Sequence, residues 1–246
     1  MKAFRLLTVR STGKFIGYAA GEILLVVIGI LLAMKINDWN EKRKEHTKEK
    51  VFLKALTLET ENNLAQLQSV LIYNTKSKDA AYRLLQIYND GYEQVDKLMI
   101  DSLLAQVQWI WTFDPDLSVL KSIKANANIE TIQNPAIQQY VNSFEEAVKD
   151  AEEESMVVRS IIVDHYVYTV SKFISLNLRV KHMGMPWGVG KSKFSSDYKG
   201  LFNDREVESL LTYIHLWRVS ERDELELIKN NLLQNLSVLK AEIESK

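Results

Sequence analysis

Apolar positions fall into two regimes along the chain. Residues 16–34 are apolar on nearly every face, and Glu22 is the one charged residue among these nineteen. From residue 52 onward, apolar residues instead recur every three or four positions, the spacing of helices with one buried face. Phe52, Leu56, Thr60, Leu64, Leu67 and Leu71 form the first such row. It predicts a helix running to Asn89, with a break near residues 75–78. Asn89-Asp90-Gly91 is its stop signal, with Gly91 suited to a left-handed cap. A second helix is expected over residues 94–111, with Leu98, Leu103, Leu104, Val107 and Trp111 apolar. Asp114 before Pro115 reads as the cap of a third, short helix, and Asn134 before Pro135 repeats the device. After it comes the longest pattern. Ile137, Val141, Phe144, Val148, Ala151, Ser155, Val158, Ile162, His165 and Thr169 follow a heptad-like seam and predict a helix over about residues 135–180. Glycines, Pro186 and several serines then mark a loop over residues 183–200. A last helix is expected over residues 204–241, with Val207, Leu210, Ile214, Trp217, Leu225, Ile228, Leu232, Leu239 and Ile243 as its stripe.

These elements predict an all-α chain. A basic tail (1–15) leads into a transmembrane helix (16–36), which continues into a soluble helical domain (37–246). That domain is expected to be an antiparallel bundle of three long helices plus shorter ones. Residues 37–50 are densely charged and read as a solvated continuation of the membrane helix.

Nineteen helical residues rise about 28 Å, close to the hydrocarbon thickness of a bilayer. Lys14 and Lys35 flank the run, and Tyr18 and Trp39 stand where interfacial rings anchor a span. A cleaved signal peptide fits less well, because the run exceeds a usual apolar region and no Ala-x-Ala site follows. The tail carries Lys2, Arg5, Arg10 and Lys14 with no acidic residue. A short basic tail before an anchor places the domain in the periplasm. Counting Lys and Arg on both sides points the other way, to a cytoplasmic domain. Within the span, Gly17, Gly21, Gly29 and Ala33 share one i, i+4 row, interrupted by Leu25. Such a row lets two helices approach closely. Glu22 lies roughly 9 Å inside the apolar run by helical rise. A carboxylate at that depth is protonated, paired or reaching for the interface. Gly17, Gly21, Glu22, Gly29 and Ala33 are therefore expected to form a self-association face.

Composition adds mainly exclusions. The formal net charge of the 246 residues is -1, so no global basic character points to nucleic acid. The absence of cysteine removes disulfides, thiolate nucleophiles and Cys-ligated zinc. Gly188-Val189-Gly190-Lys191-Ser192 resembles a phosphate loop, but Met185 stands where that motif needs its first glycine. None of His46, His165, His182 and His215 has an acidic residue three positions before it, as a di-iron bundle requires. His165 is expected to be a buried, hydrogen-bonded core residue. His182 with Met183 and Met185 is a weak soft-metal pattern. The acidic run Asp150, Glu152, Glu153 and Glu154 reads as solvated surface. Trp109, Trp111, Phe113 and Trp187 are expected to pack between helices, with a ligand groove as the alternative. No catalytic constellation, metal or cofactor is implied.

The stretch from Gly17 to Leu31, with Glu22-Ile23-Leu24-Leu25-Val26-Val27-Ile28-Gly29-Ile30-Leu31, closes with Ile36-Asn37-Asp38-Trp39-Asn40-Glu41. It resembles a family of single-pass membrane proteins common in Bacteroidota and catalogued without a function. Residues 113–140 resemble it more loosely, through Leu120-Lys121-Ser122. The chain departs from that pattern at Ala125-Asn126-Ala127 and at Met34-Lys35. The resemblance implies a membrane-anchored helical protein of a double-membraned bacterium and carries no catalytic residue. Three functions then compete. The first is an anchored interaction or scaffold protein, a homo-oligomer or the holder of a membrane or periplasmic partner. The second is a periplasmic small-ligand sensor acting through a partner, since the 15-residue tail holds no output domain. An enzyme is the third and least supported.

Overall fold

The computed structural model describes residues 12–125, 128–180 and 192–245. Two compact units divide the chain, Met1–Val51 and Phe52–Lys246. The described residues are mostly helical, with no strand among them. The elements are α1 (Thr12–Asp90), α2 (Lys97–Val107), α3 (Ser118–Ala125), α4 (Pro135–Ser160), α5 (Val167–Ser171), α6 (Leu176–Val180), α7 (Tyr198–Leu201) and α8 (Arg205–Glu244). A short 3-10 turn, Asn128–Thr131, precedes α4, and a π-helix, Ile161–Tyr166, joins α4 to α5.

In the second unit, α8 lies antiparallel to both other long helices. Against α1, Lys240 meets Glu61 at 2.8 Å, Asn74 meets Glu221 at 2.5 Å, and Tyr88 reaches the Leu201 carbonyl just before α8. Against α4, Asn134 pairs with Glu242, and Ser155 pairs with Glu221. The portion of α1 in this unit and α4 therefore run the same way, so the chain must return before α4 starts. It does so along α1. Ser77 donates to the Val107 carbonyl, Gln66 to that of Asp114, and Asn63 to that of Asp116. From Ser77 to Asn63 the helix falls by about 21 Å. Nine helical residues from Val107 to Asp116 would cover only about 14 Å, whereas an extended run spans up to about 30 Å. The predicted helix over 94–111 accordingly ends at Val107, and Leu98 is exposed. The extended backbone is satisfied by α1 side chains. The buried Asn63 amide donates to the Asp116 carbonyl at 2.7 Å and accepts its N–H at 2.9 Å, as a strand neighbour would.

Local signals in the sequence set most helix ends. Gly91 has φ +95° and its N–H closes on the Ile87 carbonyl. Asn134 accepts the Ala136 N–H, with Pro135 opening α4. Asp204 accepts the N–H groups of Glu206 and Val207. Other expectations are corrected. Residues 75–78 stay helical within α1. Asp114 caps nothing; its carboxylate accepts the Thr112 hydroxyl at 2.7 Å. Asp116 instead accepts the Ser118 N–H, and Glu59 reaches across from α1 to accept the N–H groups of Val119 and Leu120 at 2.6 and 3.1 Å. Burial raises the Glu59 pKa, against the opposing pull of those two N–H groups.

The seam predicted over 135–180 holds from Ile137 to Ile162 and then slips. The π-helix admits one extra residue, with the Val167 N–H bonding the Ile162 carbonyl. The core position passes from His165, which is exposed, to Tyr166, which is fully buried. The Tyr166 hydroxyl donates to the Leu104 carbonyl at 3.2 Å. The helix then stops at Ser171 and resumes as α6. His182, and of the predicted loop Met183, Met185, Trp187 and the glycine-rich stretch to Lys191, lie outside the described residues. Within its remainder, Tyr198–Leu201 is helical.

Candidate functional site

The first unit holds a helical stretch whose apolar side chains are exposed. Ile23, Leu24, Leu25, Val26, Ile30, Leu31 and Met34 are exposed. Among the described residues this is the one helix long and apolar enough to cross a membrane. Tyr18 is 83% and Trp39 64% exposed, and the Arg43 guanidinium stands 5.9 Å over the Trp39 ring. Glu22 and Ala33 are exposed, and the space where a Cβ would sit on Gly21 or Gly29 has no atom within 4 Å. Gly17 lies in α1, but its surroundings are outside the described residues.

The second unit carries a polar layer that no apolar pattern announces. Its core is two hydrophobic clusters. One gathers Leu67 and Leu71 of α1, Phe144 and Ala151 of α4, and Leu225 of α8. The other gathers Leu84, Leu104, Val158, Tyr166 and Ile214. Between them every long helix contributes polar groups: Asn74 from α1, Ser155 from α4, Arg218 and Glu221 from α8. Arg218 and Glu221 are each 1% exposed. The Glu221 carboxylate accepts from Arg218 Nη1 at 2.6 Å, from Asn74 Nδ2 at 2.5 Å and from Ser155 Oγ at 2.8 Å. Arg218 Nη2 donates to the Trp109 carbonyl at 2.5 Å, where the chain turns onto its extended return. Arg218 Nε and Asn74 Oδ1 are buried without a hydrogen-bond partner. A desolvated ion pair persists only when such surrounding hydrogen bonds offset the lost hydration.

Beside this layer a cavity of about 220 Å³ opens between residues 112–114, one face of α4, and Leu225. Ser155 belongs to both: its hydroxyl binds Glu221 while its side chain forms cavity wall. Phe113, Val148, Ala151 and Leu225 give the apolar wall, and Arg159, Glu152 and Asp114 carry the charge. Farther along α4, a shallower recess is framed by Lys121 and Glu145, which pair at 3.5 Å. The Lys124 and Lys121 ammonium groups hold the Glu145 carboxyl below its usual range. Trp109 and Trp111, on the segment after α2, pack on Tyr73 of α1. Trp111 stacks on Tyr73 at 4.2 Å, Trp109 meets it edge-on at 5.3 Å, and Lys76 lies over Tyr73 and Trp109.

Sequence reasoning missed Arg218, Glu221 and Asn74. The available signal was the gap in the α8 stripe between Trp217 and Leu225, where the one apolar residue, Val219, lies off the inward register.

Residues 22–109 match the model of a family of unknown function (DUF6090). Residues 183–242 match the model of the KAP family P-loop domain. The larger part of that second match is α8, a bundle helix, and the element before its glycine-rich stretch is helix α6 rather than a strand. No curated protein and no solved structure matches the chain.

Proposed function

We propose that the chain is a single-pass anchor protein of the inner (cytoplasmic) membrane. It self-associates through the Gly17, Gly21, Glu22, Gly29 and Ala33 face, and holds its helical domain on the periplasmic side as a scaffold for a membrane or periplasmic protein. The carrying observation is the uncovered apolar helix. Water does not tolerate a contiguous apolar surface of this length, whereas a bilayer does. Glycine costs a helix about 1 kcal/mol relative to alanine. Among the described residues nothing outside the helix's own backbone approaches Gly21 or Gly29 closely enough to require it, and a second helix supplies a reason for both. Glu22, carried among apolar side chains, gains a hydrogen-bonding partner in the same assembly. The basic tail supports the periplasmic placement, and the resemblance to single-pass proteins of double-membraned bacteria supports the inner membrane.

The test is the size of the full chain in mild detergent, measured by light scattering, before and after Gly17→Ile with Gly21→Ile. The wild type is expected as an oligomer and the variant as a smaller species. An unchanged size sinks the self-association reading.

A further inference from the structure

The cavity beside the polar layer has the chemistry of a ligand site. Its volume of about 220 Å³ lies below the roughly 300–1,000 Å³ typical of drug-sized ligands, yet far above the about 30 Å³ share of one water. An apolar wall is joined to charges of both signs. Asp114 is oriented by the Thr112 hydroxyl, which occupies one of its carboxylate oxygens. Glu152 and Arg159 stand on the same α4 face, about 10.5 Å apart along the axis, too far to neutralise each other directly. The helix neighbours of Arg159 at three and four positions are Ser155, Met156, Ile162 and Val163, none of them acidic. Ser155 is 7% exposed and fixed by Glu221, so the middle of the wall is rigid.

We propose that this cavity binds a small zwitterion of amino-acid size. Its carboxylate meets the Arg159 guanidinium, a planar fork matched to carboxylate geometry. Its ammonium group lies towards Glu152 and Asp114, and its apolar body rests on Phe113, Val148 and Leu225. The two carboxylates against one guanidinium leave the ammonium end the more strongly held. A ligand with a single charge forgoes one of these two charge-assisted contacts and binds less tightly. The buried ion pair serves as support: it locks Ser155, and with it the α4 face, in one rotamer and register.

The test uses the full chain in phosphatidylcholine nanodiscs, titrated calorimetrically with the common amino acids one at a time. For the tightest binder, its decarboxylated amine and its deaminated acid are titrated as well. The expected result is saturable binding by at least one amino acid, with the amine and the acid each weaker by about tenfold or more. Arg159→Gln and Glu152→Gln are each expected to weaken binding by about tenfold while melting as the wild type does, because both side chains are exposed. Met156→Trp, at the exposed rim, narrows the mouth and gives an independent loss. The proposal is overturned if no amino acid binds below about 10 mM, or if the amine or the acid binds within about threefold of its parent. Wild-type affinity in all three variants overturns it equally.

Discussion

Replacing Glu221 by alanine removes the one acceptor that Arg218, Asn74 and Ser155 share. It leaves the Arg218 guanidinium buried, with the Trp109 carbonyl as its remaining partner. Breaking one side of a buried ion pair costs about 3–5 kcal/mol, mostly because the other charge stays desolvated. That is a large share of the roughly 5–15 kcal/mol that holds a domain together. For a unit of this size each kcal/mol shifts the melting temperature by about 2–4 °C, so the expected fall is about 6–20 °C. The assay is thermal unfolding of the full chain in detergent, followed by tryptophan fluorescence, which Trp109 reports from beside the site. Arg218→Met with Glu221→Leu supplies the control: replacing both charges with apolar groups is expected to recover most of the loss. A Glu221→Ala melt within about 2 °C of wild type refutes the reasoning, as that is the range of an ordinary surface change. A double variant whose loss equals the sum of the single losses refutes the coupling.

Other perturbations separate the remaining devices. Tyr166→Phe removes one of the two side-chain hydrogen bonds to the Leu104 carbonyl, which keeps that of Gln108 Nε2, and about 0.5–1.5 kcal/mol is expected to be lost in urea unfolding. Gly91→Ala places a Cβ at φ +95°, 3.0 Å from Glu93 Oε2, and is expected to cost about 1 kcal/mol or more by the same measurement. Glu59 has its pKa raised from the ordinary 4.5 by burial, so the fold binds its proton more tightly than the unfolded chain does. Its contribution is fully present below the ordinary value and declines as pH rises through the raised one. Wild type minus Glu59→Gln stability, followed across that range, is expected to fall with pH, and a rise contradicts the sign.

Long helices and their local stops were legible because their signals are local. Asn134-Pro135, Asp204 and Gly91 each act within one turn. The heptad-like seam was legible to Ile162 and again at the buried Thr169, and was misread at His165, because a single π turn hands the inward position to Tyr166 and leaves no mark in composition. Residues 108–111 look helical by pattern, and Asp114-Pro115 looks like the start of the next helix. Their extended path is imposed by the distance they must cover along α1 and by Asn63 and Gln66, which are far away in sequence. The polar layer was hidden for a related reason. Arg218 and Glu221 sit at i, i+3 on a helix, where such a pair is ordinarily solvated, and it takes Asn74, Ser155 and the Trp109 carbonyl, all from other parts of the chain, to make burial tolerable. Glu59, read alone, is one more surface acid; it becomes a cap only when α3 is brought to it.

The central claim is that residues 16–36 lie in a bilayer. The chain has no cysteine, so single cysteines report without background. Val27→Cys in mid-span and Ser209→Cys on the exposed side of α8 can be challenged in native membranes with a membrane-impermeant maleimide. The cysteine at position 27 is expected to stay unlabelled until the membrane is dissolved, while that at position 209 reacts once the reagent reaches its side. Equal labelling of both in intact membranes contradicts the anchor.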